Sequence, residues 1–449
     1  MKQDFILTEE QQRHYDLIAA GVHNTINCSV GGSGKSVLIN KLKREFGHET
    51  LFLSTTGISA LAIGGMTLHS GMSIPIGHCT KEALKKVSSK TSKLFAKGAI
   101  KRIIIDEFSM ITPSTWFGFC ERLKRFNKAT RNRKSGDIKV HLFGDILQIP
   151  AVMLPRDIAL AKEEYGTSKF YRMKEFSEMN FKLVEFTKVM RQSDEQMKNM
   201  LHAIRTAVPK SRVNNKPVYG TEVNEAIEYF NRKVIYPLPR ETTVIAATNK
   251  SVAKYNAVAF NNNHNPCGIY TSELTGNFKI SDLVCGEEVR LKVGLGVIIL
   301  KNSSHDSPIP YSNGDTGKII DMAEEGATVR LARTGEEILI EPSRWEKHGY
   351  ETRKNEEGEE ELYQFVSGSA TAMALKQNAA ISCHRSQGTT LDKAIVDLGW
   401  SCTFATGILY VALSRMRSIG GLYLKRKIRP EDIFVDLDAI AWLKEMRGD

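Results

Sequence analysis

The chain has 449 residues, with 62 Lys plus Arg against 51 Asp plus Glu and 41% hydrophobic residues. At roughly 150 residues per domain this excludes a single continuous core, and the composition excludes a collagenous or disordered chain. No stretch approaches the roughly 18 uninterrupted apolar residues that span a bilayer. The first residues, MKQDFILTEEQQRHYD, also lack the apolar core and small-residue cleavage site of a secretory signal. The expectation is a soluble protein of the cytoplasm with no membrane partner.

The net charge of +11 favours polyanionic partners only weakly by itself. Its distribution says more. Residues 81–97 carry six lysines against Glu82 alone, and residues 121–139 carry eight Lys or Arg against Glu121 and Asp137. Each stretch reads equally well as a phosphate-contacting surface or as a solvated face. The seven cysteines, Cys28, Cys79, Cys120, Cys267, Cys285, Cys383 and Cys402, form no CxxC pair. Such scatter fits reduced, mostly buried thiols rather than a zinc site.

In chain order, residues 8–23 read as a helix capped by Thr8, with Gln11 three positions later. Thr25–Val30 is a short apolar strand leading into glycines, after which Val37, Leu38 and Leu42 recur at helical spacing. Thr50–Leu53, Ile103–Ile105, Val140–Phe143, Val244–Ala247 and Ala394–Val396 repeat the short apolar strand. Separated by helix-length segments, they predict parallel α/β layers. Two stretches break the rhythm. Residues 71–97 form a Gly/Pro-containing insert that becomes lysine-rich. Residues 283–341 alternate as short β runs (Val289–Val293, Val297–Leu300, Gly317–Ile320, Thr328–Leu331 and Glu337–Ile340) with turns such as Asn313-Gly314. That pattern predicts a small β-barrel inserted between α/β segments. Acidic residues 355–361 read as an exposed connection, after which α/β character resumes.

Ser29-Val30-Gly31-Gly32-Ser33-Gly34-Lys35-Ser36 follows the first strand and opens a helix. Ser29 stands where a GxxxxGK[ST] loop has its first glycine, but the remaining chemistry is intact. Backbone N–H groups of a glycine-rich turn and a helix N-terminus can surround phosphate oxygens. Lys35 would then lie against the β- and γ-phosphates and Ser36 would reach Mg²⁺. Ile103-Ile104-Ile105-Asp106-Glu107 ends a second strand in two carboxylates, Asp106 suited to Mg²⁺ and Glu107 to polarising water; helix capping is the plainer alternative. A third strand runs into Gly144-Asp145-Ile146-Leu147-Gln148-Ile149-Pro150, and Gln148 could touch the γ-phosphate or the water. Three strand ends would thus converge on one crevice.

These strings resemble the superfamily 1B DNA helicases, the group containing RecD, phage Dda helicase and the eukaryotic PIF-type helicases. The likeness runs from Leu7 to about Leu424, and in size and layout it is nearest to Dda-like helicases. Leu7-Thr8-Glu9-Glu10-Gln11 resembles the adenine-reading element, with Gln11 as the amide. STTGISA (54–60) and Gly65 to Ser70 resemble the DNA-contacting stretch, carrying Thr56, Thr67 and His69; Thr55 replaces a usual proline. Val189-Met190-Arg191-Gln192 resembles the segment whose arginine reaches the γ-phosphate. Thr248-Asn249-Lys250, Asn256 and the region from Gly294 to Gly317 also match. Ile381 to Asp392 (ISCHRSQGTTLD) is the strongest string; it supplies His384, Arg385 and Ser386, with Arg385 where lysine is usual. Tyr410 to Arg417 supplies a second arginine finger, Arg415.

The resemblance implies two RecA-like parallel-sheet motor domains, with a pin insertion in the first and an SH3-like β-barrel insertion in the second. The corresponding boundaries are 1–190 (with 71–97 as pin or wedge), 191–275, 276–360 and 361–449. It implies an ATP-dependent helicase that moves 5′-to-3′ on single-stranded DNA and opens duplex. Its nucleotide pocket would be Gln11, Gly32, Ser33, Gly34, Lys35 and Ser36, with ATP and Mg²⁺ as ligand and cofactor. Lys35, Asp106, Glu107, Gln148, Arg191 and Arg415 would act in hydrolysis, and Ser36 and Asp106 would hold the metal. Single-stranded and junction DNA would be the partners, with replication proteins beside them, and the protein would act as a monomer. The setting implied is the nucleoid-containing cytoplasm of a bacterium or phage-infected host. A nucleic-acid-binding scaffold with an inactive nucleotide site, and an RNA-directed helicase, are the alternatives, because phosphate contacts do not read the sugar.

Overall fold

The short segments whose residues are almost all apolar have no solvent-facing side, and they become the centres of two parallel sheets. The protein is described from a computed structural model covering residues 6–449, except 97, 131–135, 193, 240, 241, 284, 304–306, 312, 314 and 388. Lys97, Arg131, Arg133 and Lys134 of the basic stretches, and Gly314 and Gly388 of the matched strings, lie outside the described residues.

Helix α1 (Glu9–Ala19) begins with the expected capping box between Thr8 and Gln11. It is followed by β1 (Thr25–Cys28), α2 (Lys35–Phe46), β2 (Thr50–Ser54), β3 (Met66–Thr67), β4 (Arg102–Asp106), β5 (Lys139–Gly144) and β6 (Lys182–Val184). The six strands form one sheet in the order β3-β2-β4-β5-β1-β6. Every neighbouring pair is parallel. The phosphate-loop candidate, the two carboxylates and the Gly144-Asp145 turn leave the C-terminal ends of the three adjacent strands β1, β4 and β5. That is where open α/β sheets build their sites.

Inside this layer a polar chain is sealed from water. Thr25 Oγ1 lies 2.9 Å from His14 Nε2 and 2.9 Å from His141 Nδ1, and both rings are completely buried. Burial pulls His14 down to about 3 and His141 well below its ordinary value. An unfolded chain would protonate both rings near pH 6.5, which the folded one resists. Stability is therefore unaffected above pH 6.5 and falls as pH drops from there toward 3. The slope is about 1.4 kcal/mol per pH unit for each histidine. Urea titrations of wild type and His14→Asn between pH 4 and 7 should differ by one histidine's share of that slope.

A second parallel sheet has the order Ala380–Ser382, Val244–Ala246, Ala394–Asp397, Leu422–Leu424. Its core is separate, built on residues such as Phe230, Ile245, Val396, Val411 and Leu413. Between its strands the chain turns antiparallel. A five-stranded sheet runs Glu337–Ile340, Ala327–Leu331, Thr316–Met322, Gly296–Ile299, Leu375–Gln377, over an independent apolar cluster. The run expected at Val289–Val293 forms Glu288–Lys292 and pairs instead with Cys267–Thr271.

Three placements differ from expectation. Residues 355–359 form only a turn within one long antiparallel hairpin, Pro342–Lys354 with Glu360–Met373. The boundary expected at 360 therefore falls inside paired structure. Near the turn, Tyr350 and Leu362 bury themselves in the core of the first lobe, and Gln364 Nε2 donates to the Gly64 carbonyl at 2.6 Å. The last helix, Leu437–Arg447, also returns to the first lobe: Trp442 packs against Tyr171 with ring centroids 5.1 Å apart, and Arg172 pairs with Asp438 and Glu445. The segment 71–97 is folded down rather than free-standing. Leu84, Leu94 and Phe95 are buried, Phe95 stacks on Phe126 at 3.8 Å, and Arg122 donates to the carbonyls of Ser73, Leu84 and Lys86. Lys81, Lys85, Lys86, Lys90 and Lys93 remain exposed.

Candidate functional site

Helix α2 starts at Lys35, and the loop before it reverses through Gly32 (φ +83°) and Gly34 (φ +87°), angles that disfavour any side chain. Ser29, in place of the first glycine, has its own use: its hydroxyl accepts from the Phe186 N–H at 2.6 Å, tying the loop to the chain beyond β6. The Lys35 ammonium donates to the carbonyls of Ser29 (2.7 Å) and Val30 (3.0 Å), and so curls over its own loop. Desolvation pulls it below the ordinary lysine value, while the carboxylates of Asp145, Glu107 and Asp106 pull it back. The Gln11 amide joins α1 to this loop. Its Oε1 accepts from the Thr8 N–H (3.0 Å) and its Nε2 donates to the carbonyls of Ser33 (3.2 Å) and Gly34 (3.4 Å). Ser36 is exposed on the first turn of α2.

Asp106 closes β4 and Glu107 follows with φ +53°, a left-handed conformation that costs a non-glycine residue roughly 1–3 kcal/mol. Desolvation in the cleft, then the charge of Glu107, pushes Asp106 up to about 7. Desolvation raises Glu107 also, opposed by Lys35 and Arg415. Two half-buried carboxylates at one strand end lack enough positive charge to ionise freely. Oxygen donors in that state suit a hard divalent cation.

The arginines arrive from elsewhere in the chain. A methyl group built on Gly31 would lie 3.2 Å from Arg415 Nη2, 3.3 Å from Gln148 Nε2 and 3.5 Å from Arg191 Nη1. All three groups therefore meet at the glycine loop. Arg415 follows the buried helix Ile408–Leu413 and is itself 1% exposed. It is held by the carbonyls of Val411 (2.9 Å) and Ser386 (3.2 Å) and by the Ser414 hydroxyl (2.6 Å). Burial, then the neighbouring Arg191 cation, pulls Arg415 down to about 9. Two guanidiniums forced together beside a lysine have too few carboxylates to neutralise them, and an anion entering the loop would relieve that. Gln148 Oε1 accepts from Gln387 Nε2 at 3.4 Å, an amide link from the first lobe into the ISCHRSQ segment of the second.

Asp145 borders this site, accepting from Gln148 Nε2 at 3.5 Å, but its charge is committed elsewhere. It is buried in a two-bond ion pair with Arg205 (2.6 and 3.2 Å). Arg205 escaped the sequence reading, although its helix showed the signal: Met197, Leu201 and Ile204 form an apolar stripe that Arg205 continues. Arg205→Met should leave a buried carboxylate unpaired and cost about 3–5 kcal/mol, read as a lowered denaturant midpoint. A cavity of about 450 Å³ lies behind the loop, lined among others by Phe186, Val189, Leu201 and His202, but it contains none of Lys35, Asp106 and Glu107.

The expected nucleic-acid residues separate into two kinds. Thr56 and Thr67 cap the short helices after β2 and β3, accepting from the N–H groups of Ser59 (3.2 Å) and Ser70 (3.2 Å). The Thr55 hydroxyl, where proline was expected, donates to the Glu107 carbonyl at 3.1 Å and links this stretch to the carboxylates. His69 and His384 are half-buried, and desolvation lowers both; Arg385 is exposed. Ser386 departs from expectation. It is completely buried, its hydroxyl donates to the Cys383 carbonyl at 2.8 Å, and its own carbonyl holds Arg415. In this arrangement its hydroxyl is turned inward and its carbonyl positions the arginine.

Among the described residues, no helix is long and apolar enough to cross a membrane. Residues 6–206 match the PIF1-like helicase family. Over 454 residues the chain is 28% identical to the ATP-dependent DNA helicase Pif1 of Bdellovibrio bacteriovorus, spanning 98% of this chain and 92% of that protein. It is 28% identical over 345 residues to the ATP-dependent DNA helicase RRM3 of Saccharomyces cerevisiae, covering 73% of this chain and 44% of that longer protein. The crystal structure of Bacteroides sp. Pif1 in complex with ADP-AlF4 superposes with a TM-score of 0.84 at 28% identity, covering 99% of this chain and 98% of the other. Bacteroides Pif1 bound to single-stranded DNA gives 0.65. The chain thus superposes more closely on the former than on the latter. The first lobe thus matches the PIF1-like helicase family, and the chain is similar from end to end, in sequence and in structure, to Pif1 proteins.

Proposed function

We propose that the protein is an ATP-dependent DNA helicase, which binds single-stranded DNA across its two parallel-sheet lobes and opens duplex by coupling ATP hydrolysis to closure of the cleft. The observation that carries this reading is the meeting of Arg191, Arg415 and Gln148 at Gly31. Arg415 comes from the second lobe, so only an arrangement with both lobes against the loop completes the charge around a γ-phosphate. Hydrolysis then depends on domain position, which is how chemistry becomes movement.

Lys35 would contact the β- and γ-phosphates, Gln11 the adenine, and the backbone of Gly32, Ser33 and Gly34 the phosphate oxygens. Ser36 and Asp106 would hold Mg²⁺, which supplies charge neutralisation at the phosphates. Glu107 orients and deprotonates the attacking water. Lys35→Ala should abolish ATPase activity, and a rate near wild type would refute the phosphate-loop assignment.

The finer reading is a superfamily 1B motor that is a monomer, moves 5′-to-3′, and works with replication proteins near the nucleoid of a bacterium or phage-infected cell. Its first RecA-like domain comprises residues up to about 190, with the folded-down 71–97 segment as wedge. A second such domain surrounds an SH3-like insertion that we extend to Cys267–Gln377, since strands throughout that range pair with one another. Thr56, Thr67, His69, His384 and Arg385 grip the DNA backbone from both lobes. Duplexes bearing a 5′ or a 3′ single-stranded tail test the polarity. Unwinding from the 5′ tail is expected, whereas efficient opening from the 3′ tail alone overturns it; matched RNA tails separate a DNA motor from an RNA one.

A further inference from the structure

The four strands of the second parallel sheet end level with one another, because Ser382 lies beside Ala246, Ala246 beside Asp397, and Val396 beside Leu424. The chain therefore leaves one edge at four neighbouring points, after residues 382, 246, 397 and 424. The first two lead to His384 and Arg385 and to Thr248, Asn249 and Lys250. The third leads to Trp400, roughly 10 Å along the edge from the first at about 4.8 Å per strand.

Trp400 is 93% exposed, whereas Trp116, Trp345 and Trp442 are 0%, 9% and 4% exposed. An indole in water forfeits the largest apolar burial any side chain offers. Its presentation is also fixed. Leu398 and Cys402, two positions away on either side, are buried; Arg426 Nε donates to the Gly399 carbonyl at 2.7 Å, and the Arg429 guanidinium donates to the carbonyl of Trp400 itself. Both arginines are held in turn by Asp432, which is 1% exposed. The segment that supports it is basic: Lys425, Lys427 and Arg429 are exposed, with Lys425 paired to Asp397 at 2.8 Å and Arg429 to Asp432 at 3.3 Å. Tyr236 is 71% exposed and its hydroxyl is bonded to the Lys425 carbonyl, so a second aromatic ring stands on the same ledge.

A rigid, solvent-facing aromatic ring among cations, on the sheet edge that already carries the expected phosphate contacts, matches the chemistry of an unpaired nucleobase. A hydrophobic protein surface would find mostly charge around the ring. We propose that Trp400 is a stacking platform for a base of single-stranded DNA, extending the track beyond His384 and Thr248. This rests on the helicase reading above.

The test uses the full chain and oligo(dT). Three tryptophans are buried, so iodide should quench mainly Trp400 in the free protein, and saturating oligo(dT) should shield it. Anisotropy of a labelled oligonucleotide reports binding independently. Trp400→Ala should weaken oligo(dT) binding about tenfold, within the range of one base–aromatic stack, and Trp400→Tyr should restore most of it. Unchanged affinity in Trp400→Ala, or full iodide access in the saturated complex, overturns the stacking inference alone. Absence of any oligo(dT) binding by the wild type overturns the helicase reading instead.

Discussion

Glu107→Gln is expected to bind ATP as the wild type does and to hydrolyse it roughly 10²–10⁴-fold more slowly, the usual effect of removing a positioned general base. The amide keeps the size and one acceptor oxygen, so the cleft should stay assembled while the group that takes the proton is lost. Desolvation raises the proton affinity of both carboxylates, but only Glu107 has its backbone held left-handed, a strained conformation just past the end of the strand. Asp106 instead continues β4 and suits a metal-holding role. Single-turnover hydrolysis beside fluorescent-nucleotide binding makes the check; rapid turnover by Glu107→Gln would remove the residue from the catalytic account.

Arg415→Ala should retain both nucleotide and DNA binding and lose roughly 10³–10⁵ in DNA-stimulated turnover, as removal of an arginine finger does in related phosphoryl transfer. The side chain is fully buried and fixed by three hydrogen bonds from residues of its own lobe, yet its tip lies against the glycine loop of the other. Such preorganisation is what lets a fixed charge stabilise a transition state without reorganisation. Arg415→Lys keeps the charge but cannot reproduce the fork held by Val411, Ser386 and Ser414, and should recover little activity. Unchanged turnover in Arg415→Ala would refute the assignment.

Much of the motor was readable in the primary structure because the relevant strands are central and parallel, and therefore continuous apolar runs with functional residues immediately after them. Lys35, Asp106, Glu107 and Gln148 each follow such a run. Gln11 was marked by its capping box, which forms as expected. What escaped depends on partners distant in sequence. The hairpin at 342–373 carries mixed polar and apolar residues because parts of it face solvent, the antiparallel cluster and the first lobe in turn. The apolar face of Leu437–Arg447 announces a helix but not the lobe it covers. Ser386 lies in a string full of DNA-contacting residue types, yet the turn it occupies aims its hydroxyl inward at Cys383. Ser29 looked like a defect in the phosphate loop and is instead a tether to Phe186.

If Arg191 and Arg415 serve the transferring phosphoryl group rather than the ground-state nucleotide, only binding of a transition-state mimic should depend on them. The most direct measurement compares affinities for ADP and for ADP with aluminium fluoride in the presence of Mg²⁺ and single-stranded DNA, in wild type, Arg191→Ala and Arg415→Ala. Each variant is expected to bind ADP like the wild type and to lose at least about 100-fold in affinity for the transition-state mimic. Equal affinity for the mimic in wild type and both variants would contradict the claim that the two lobes share one triphosphate.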